Sequence, residues 1–262
     1  AASDVYKRQV FLAKKKDKYR VENEPENFAI KLQKLELADC KDMFLEPTTL
    51  LELNECPRII KCFFAGISVS SLMYICMEYC PYTLKTFLDI PKNRNMQNIK
   101  KLFLQIAEGV KYLHDQGFMH RDIKLANILV DSNGDAYLAD LGLTKTLETW
   151  KNSTAKGTPC FMAPEVVLGI YGFEGDLWSL CATFYFVFKN KGPYYPDSKV
   201  ETYEQNVEIL TNKVEYKNYE QLTEKNCKDP ILREKINDTL TKKDEDRKSS
   251  MNRSCLLYTS DA

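Results

Sequence analysis

The chain has 262 residues, 44% hydrophobic and 28% charged, with Lys+Arg and Asp+Glu equal at 37 each. That length supports one large domain or two lobes sharing an interface, and a formal charge of zero argues against a dedicated nucleic-acid-binding domain, which carries a marked basic excess. Nine cysteines are scattered without a CxxC pair and histidines do not cluster, so neither a disulfide scaffold nor a zinc site is indicated; buried free thiols in a reducing cytoplasm are the expectation. No apolar run reaches membrane-spanning length and no signal peptide is visible.

The two ends read as foreign to the rest. Asp4 to Gln9 can be encoded by GATGTGTATAAGAGACAG, and the reverse complement of that DNA encodes Cys255 to Ser260. One tract in opposite orientations, resembling a transposon-type sequencing adapter, accounts for both. Residues 1–9 and 255–262 are therefore expected to be adapter scars and are set aside from fold reasoning.

From Val10, Val-Phe-Leu-Ala reads as a strand, followed by a charged, Pro-containing connection and a second strand, Phe28 to Leu32. Lys31 ends an apolar run, so it is either an edge lysine with a snorkelling stem or a lysine reaching into a cleft toward phosphate. Leu35 to Leu53 carries helical signals. A carboxylate on that helix could hold Lys31; Glu46 is the candidate and Glu52 the alternative, because Pro47 disfavours helix at the residue before it and belongs near a first turn. Ile59 to Ala65 and Leu72 to Met77 bracket a polar turn and predict a hairpin. Glu78-Tyr-Cys-Pro-Tyr82 breaks the pattern as a hinge.

Thr83 can cap a short helix through Phe87. Ile99, Leu102, Phe103, Ile106, Val110 and Leu113 then recur at three, four and seven, the stripe of a buried helix that ends near Gly117. HRDIKLAN, His120 to Asn127, places an Asp, a Lys and an Asn in one loop, where they can serve one phosphate. Two short strands follow around Ser132-Asn-Gly134, ending at Asp140-Leu-Gly142. Leu141 to Cys160 has little periodicity and reads as a long mobile loop of the kind that carries function. Asp176 to Phe188 is apolar enough for a central helix, and the chain beyond Lys191 is polar and helical. No internal repeat is visible.

FAIK, HRDIKLAN, DLG, GTPCFMAPE and DLWSL, in that order, make the chain resemble a eukaryotic protein kinase of the Ser/Thr type. The resemblance covers about Val10 to Ser254. It implies an α+β, bilobal protein-kinase-like fold: a small antiparallel-sheet N-lobe over 10–77, a hinge over 78–84 and a larger, mainly helical C-lobe over 85–254. No Gly precedes Gly66, so the first strand and the Gly-rich phosphate loop are expected to be missing from this sequence.

By motif position the resemblance implies the site. Lys31, oriented by Glu46, holds phosphates; Asp122 accepts or orients the substrate hydroxyl proton; Lys124 steadies the transferred group; Asn127 and Asp140 bind Mg2+. Val10, Ala29 and Leu129 sandwich the adenine of ATP, the backbone of Glu78 and Cys80 bonds its edge, and Met77 sits behind it. Lys124 and Gly157-Thr-Pro159 point to a protein substrate carrying a Ser or Thr hydroxyl. Arg121 is expected to sense phosphorylation at Ser153 or Thr154, with Thr158 supporting the site, and Glu165 to pair with Arg247. Leu141, Phe161 and Cys181 depart from the common Phe, Tyr and Gly. A pseudokinase or scaffold module binding protein partners is the alternative; the complete set Lys31, Asp122, Asn127 and Asp140 argues against it.

Overall fold

Strand-forming residues of the first third pair into one antiparallel sheet. β1 (Arg8–Lys14), β2 (Asn27–Lys34), β3 (Cys62–Ile67) and β4 (Leu72–Glu78) lie in the order β1-β2-β4-β3. The computed structural model describes residues 8–14, 16, 25–34, 44–69, 71–146, 158–167, 169, 170, 172–194 and 220–241. Most of the adapter-like residues, together with Ser153, Thr154 and Arg247, lie outside them. Arg8 and Gln9 pair with Gln33 and Leu32; any non-proline residue can join a ladder, so the pairing does not bear on their origin.

Residues directly opposite each other in antiparallel strands share a face. Val10, Lys31 and Ile75 therefore form one row across β1, β2 and β4, and Leu12, Ala29 and Met77 the next row on the same face. Helix α1 (Leu45–Glu52) lies beside β3 and buries Leu50, and Leu53 just past its end is also buried. Pro47 falls in its first turn, where the N–H that proline lacks would have no helical partner.

Ile59 and Ile60, expected to begin a strand of the sheet, instead leave it. The Asn54 side chain brackets Cys62, donating to its carbonyl at 3.0 Å and accepting from its N–H at 3.1 Å, and β3 starts only there. The linker around them pairs with the C-lobe strand β8 (Ala136–Leu138): Ile60 N donates to Leu138 O and Leu138 N to Arg58 O, both at 2.8 Å, which sets Ile59 opposite Leu138. Both isoleucine side chains are buried, against the other lobe rather than in the sheet.

In the C-lobe, β5 (Tyr82–Thr83) leads into α2 (Leu84–Leu88), whose Thr83 and Thr86 form a reciprocal capping box. Helix α3 (Met96–Asp115), capped by Asn95, buries the whole predicted stripe from Ile99 to Leu113. β6 (Phe118–Met119), β7 (Ile128–Val130) and β8 follow. The β7–β8 turn is closed by the Asp131 carboxylate, which accepts from Asn133 N at 2.9 Å and Asp135 N at 2.8 Å.

The segment from Leu141 is less irregular than its composition implies. A 3-10 turn spans Leu141–Leu143, β9 (Lys145–Thr146) pairs with β6, and Pro159–Phe161 forms a second 3-10 turn; residues 147–157 lie outside the described part. A two-residue ladder needs only backbone groups, which hydrophobic periodicity does not report. After α4 (Pro164–Val167), α5 (Phe173–Lys189) runs through the lobe's centre, where Trp178, Phe184 and Tyr185 are fully buried. Phe184 meets Phe103 of α3 edge-on at 5.1 Å, and Trp178 stacks on Tyr194 at 5.6 Å. α6 (Pro230–Thr241) packs against α5. Burying one such large side chain is worth about 1.5–3 kcal/mol, so α3 and α5 make a rigid floor. Cys56, Cys62, Cys76, Cys181 and Cys227 are buried free thiols, as expected, whereas Cys80 and Cys160 are free but only half-buried.

Gly109 of α3 faces the lobe crossing: a Cβ there would meet Arg58 O at 3.0 Å and Leu138 Cδ1 at 3.2 Å. In open space a side chain would favour the helix by up to ~1 kcal/mol; here Gly109→Val is expected to destabilise by about 1–3 kcal/mol. Thermal unfolding of the variant should show a lowered midpoint.

Candidate active site

The HRDIKLAN loop hangs from a single buried carboxylate. Asp176, in the first turn of α5, accepts from His120 N at 2.7 Å, Arg121 N at 2.8 Å and His114 Nε2 at 2.9 Å. Burial opposes its charge, but the His114 hydrogen bond, the His114 and His120 rings and the Arg121 N–H hold it below the usual aspartate range. Arg121 has φ 69°, a left-handed conformation that a long side chain adopts at a cost. The Asp176 bond to its N–H holds it there.

His120 is fully buried. Its Nδ1 accepts from Asp122 N at 3.3 Å, which leaves Nε2–H to donate to Ala139 O at 3.0 Å. The imidazole thus ties the start of the loop to the strand that delivers Asp140. Thr183 Oγ1, on α5, donates to Ser179 O at 2.7 Å and lies 3.3 Å from Ile123 O.

The Asp122 carboxylate is held on both oxygens. Oδ2 accepts from Lys124 Nζ at 2.7 Å and Asn127 Nδ2 at 2.9 Å, while Oδ1 accepts from Thr158 Oγ1 at 3.0 Å. Lys124 Nζ also reaches Thr158 Oγ1 at 2.8 Å. Asn127 Nδ2 further donates to Asp122 O at 2.8 Å, so both amide hydrogens are used and its Oδ1 is turned away from Asp122.

From the N-lobe, Lys31 Nζ donates to Glu46 Oε1 at 2.6 Å, Glu46 Oε2 at 2.7 Å and Asp140 Oδ1 at 2.7 Å. These use all three ammonium hydrogens. Burial alone would lower the Lys31 pKa, but the charges of Glu46 and Asp140 outweigh it and hold it above the usual lysine value. Of the two candidate glutamates, Glu46 is buried against Lys31 and Glu52 is exposed. Asp140 takes φ 61°, and Leu141 beside it is fully buried in the turn that packs on α1. Leucine is apolar enough to fill that position.

The expected adenine-pocket residues divide between the lobes. Val10, Ala29 and Met77 share the Lys31 face of the sheet; Val10 is 63% exposed and Met77 8%. Leu129 comes from β7, half-buried. Glu78 N donates to Lys61 O at 2.9 Å, so what its backbone can offer a ligand is the carbonyl. Burial, with the charges of Glu78 and Asp131, pushes the Cys80 thiol up to about 12 and keeps it protonated.

Asp176 had no role assigned from the sequence, although its motif was recognised. The available signal was an acid in the first turn of an otherwise apolar helix, since a buried carboxylate requires donors. The expected Glu165–Arg247 pair cannot be placed, because Arg247 lies outside the described residues; Glu165 itself is buried.

Comparison with known proteins bears directly on this geometry. The protein kinase domain family matches residues 10–256. The chain belongs to the protein kinase family. Among curated relatives, mitogen-activated protein kinase kinase kinase 1 of Arabidopsis thaliana is 50% identical over 94 residues, 34% of this chain and 16% of the relative. The serine/threonine-protein kinase STK11 of Gallus gallus is 33% identical over 141 residues, 50% of this kinase chain and 32% of the relative. The cytokinesis protein sepH of Aspergillus niger is 36% identical over 170 residues, 63% of the chain and 12% of the relative. The chain thus spans a third or less of these relatives' length. A solved structure of the yeast RNA Pol II CTD kinase CTDK-1 complex superposes with a TM-score of 0.60 at 24% identity, covering 70% of this chain and 60% of that one, and shares the bilobal fold.

Asp176 supplies a pH test. Its folded pKa is depressed, so its stabilisation is present above the ordinary aspartate value of about 3.9 and is lost as pH falls through the lower folded value. Urea midpoints should therefore drop steeply below that pH in the parent chain. Asp176→Asn should flatten that acid limb and lower stability at neutral pH by about 3–5 kcal/mol.

Proposed function

We propose that this kinase domain transfers the γ-phosphoryl group of Mg-ATP to a Ser or Thr hydroxyl of a protein. The observation that carries the reading is the Asp122 carboxylate, held by Lys124, Asn127 and Thr158, together with the Lys31–Glu46–Asp140 cluster that joins the lobes. Asp122 is positioned by donors on both oxygens, so it can orient a hydroxyl without first reorganising. Lys124 is the cation nearest that carboxylate and steadies charge on the transferred group. Because Lys31 already uses all its hydrogens, a phosphate oxygen must exchange with one of the present acceptors, and Glu46 keeps the ammonium in place while it does so.

Asn127 and Asp140 fit a hard cation. The Asn127 amide turns its oxygen away from Asp122, Asp140 is a carboxylate, and among the described residues no group of three or more His, Cys, Asp or Glu is arranged to hold a metal alone. Two oxygen donors suit Mg2+, which keeps waters and shares phosphate oxygens. When bound, it neutralises charge on the phosphates. Val10, Ala29, Met77 and Leu129, with the Glu78 carbonyl and Cys80, would take the adenine. Lys124 beside Thr158, and relatives named as serine/threonine kinases, support the hydroxyl class. Arg121 as a sensor of a phosphate at Ser153 or Thr154 completes the proposal.

Transfer from radiolabelled ATP to a Ser/Thr peptide tests it. Asp122→Asn is expected to lower kcat by about 10²–10⁴-fold with little change in nucleotide affinity, whereas Lys31→Met should weaken nucleotide binding as well. Chelation of Mg2+ should abolish turnover. Equal turnover by the Asp122→Asn variant would overturn the assignment; no transfer by the domain completed with a Gly-rich loop would favour the scaffold reading, since the chain without that loop is expected to be impaired.

A further inference from the structure

Behind the hinge, where the α1–β3 linker crosses onto the C-lobe, lies a recess of about 330 Å³ lined by Asn54, Glu55, Ile59, Lys61, Glu78 and Tyr137, among others. Its walls come from both lobes, and they are fixed. Ile59 is buried and bridges to Leu138, Asn54 is locked onto Cys62, and Glu78 N is bonded to Lys61 O. Ligand pockets run roughly 300–1,000 Å³, so this one suits a single side chain better than a large molecule.

Its electrostatics are unbalanced toward negative charge. Glu55 and Glu78 face one lining cation, Lys61. Glu78 is half-buried and, among the described residues, makes no ion pair. Burial and the nearby Asp131 charge push its carboxyl above the usual range, and Lys61 only partly offsets them. Asp131 does not line the recess, but its carboxylate lies behind the Tyr137 wall, accepting from Tyr137 Oη at 3.4 Å. A cation entering the recess would relieve this repulsion.

We propose that the recess is a docking pocket for an arginine side chain of a protein partner. The guanidinium is a planar fork that can address two carboxylates at once, is more weakly hydrated than an ammonium and can lie on an aromatic face such as that of Tyr137. Ile59 and Pro57 give its methylene stem apolar contact. Because the walls come from the linker, β4 and β8, an occupied pocket would bridge the lobes away from the Asp122 site.

The probe is N-acetyl-arginine amide, titrated into the isotopically labelled full chain and followed by amide NMR, with the uncharged isostere N-acetyl-citrulline amide as control. Saturable shifts are expected at Ile59, Glu78 and Tyr137 with arginine and not with citrulline. Glu55→Lys should weaken binding about fivefold or more, and Lys61→Gln should tighten it about threefold, in line with partly exposed charge pairs. Opposite signs from two exposed positions would not arise from a general loss of fold. Equal shifts with citrulline, shifts mapping elsewhere, or indifference to both variants would overturn the proposal. Binding should persist in Asp122→Asn, so its outcome is separate from that of phosphoryl transfer.

Discussion

A buried carboxylate is tolerable only when every oxygen is supplied with donors, and Asp176 turns that requirement into a scaffold. Its partners are two successive backbone N–H groups of the HRDIKLAN loop and the His114 ring of α3. The helix that carries it is deeply buried, with Trp178, Phe184 and Tyr185 excluded from solvent. Loop geometry is thereby referred to the hydrophobic core: moving Asp122 would mean moving α5 or leaving a charge unsatisfied. The positive φ of Arg121 is stable for the same reason.

A second layer of constraint joins the lobes. The linker before β3 hydrogen-bonds to β8 through Arg58 and Ile60, Gly109 lets it approach α3 closely, and Lys31 reaches Asp140 across the cleft. These contacts meet at one end of β8, the strand that leads through Ala139 to Asp140. His120 holds Ala139 O from below while Lys31 holds the Asp140 carboxylate from above. Asp140 is thus held from both lobes, whereas Asp122 and Asn127 are held within the C-lobe.

Much of the site was legible because its residues sit close together in sequence and their chemistry is unusual. A lysine at the end of an apolar strand, an Asp-x-Lys-x-x-Asn loop and an Asp after a hairpin each invite a charged partner. The buried apolar stripe of helix α3 was legible, because one amphipathic stripe has a single buried solution. The choice of Glu46 over Glu52 was not, since Pro47 left the helix start ambiguous until the ion pair with Lys31 was seen. Ile59 and Ile60 misled because apolar strand-like residues do not encode which strand they meet. Lys145 and Thr146 were missed because a short ladder depends on backbone groups alone.

By itself the sequence determined the family, the order of the main elements, the identities of the charged groups and the buried stripe of helix α3. These follow from local spacing and composition, which need no partner to be read. Only the tertiary structure decided which glutamate holds Lys31, that Thr158 and Lys124 close on Asp122, that Asp176 carries the loop, and that the linker crosses to β8. Apart from Lys124 with Asp122, each of those is a contact between residues well separated in the chain. Its energy comes from desolvation and hydrogen bonding at the point of meeting, so no local pattern records it.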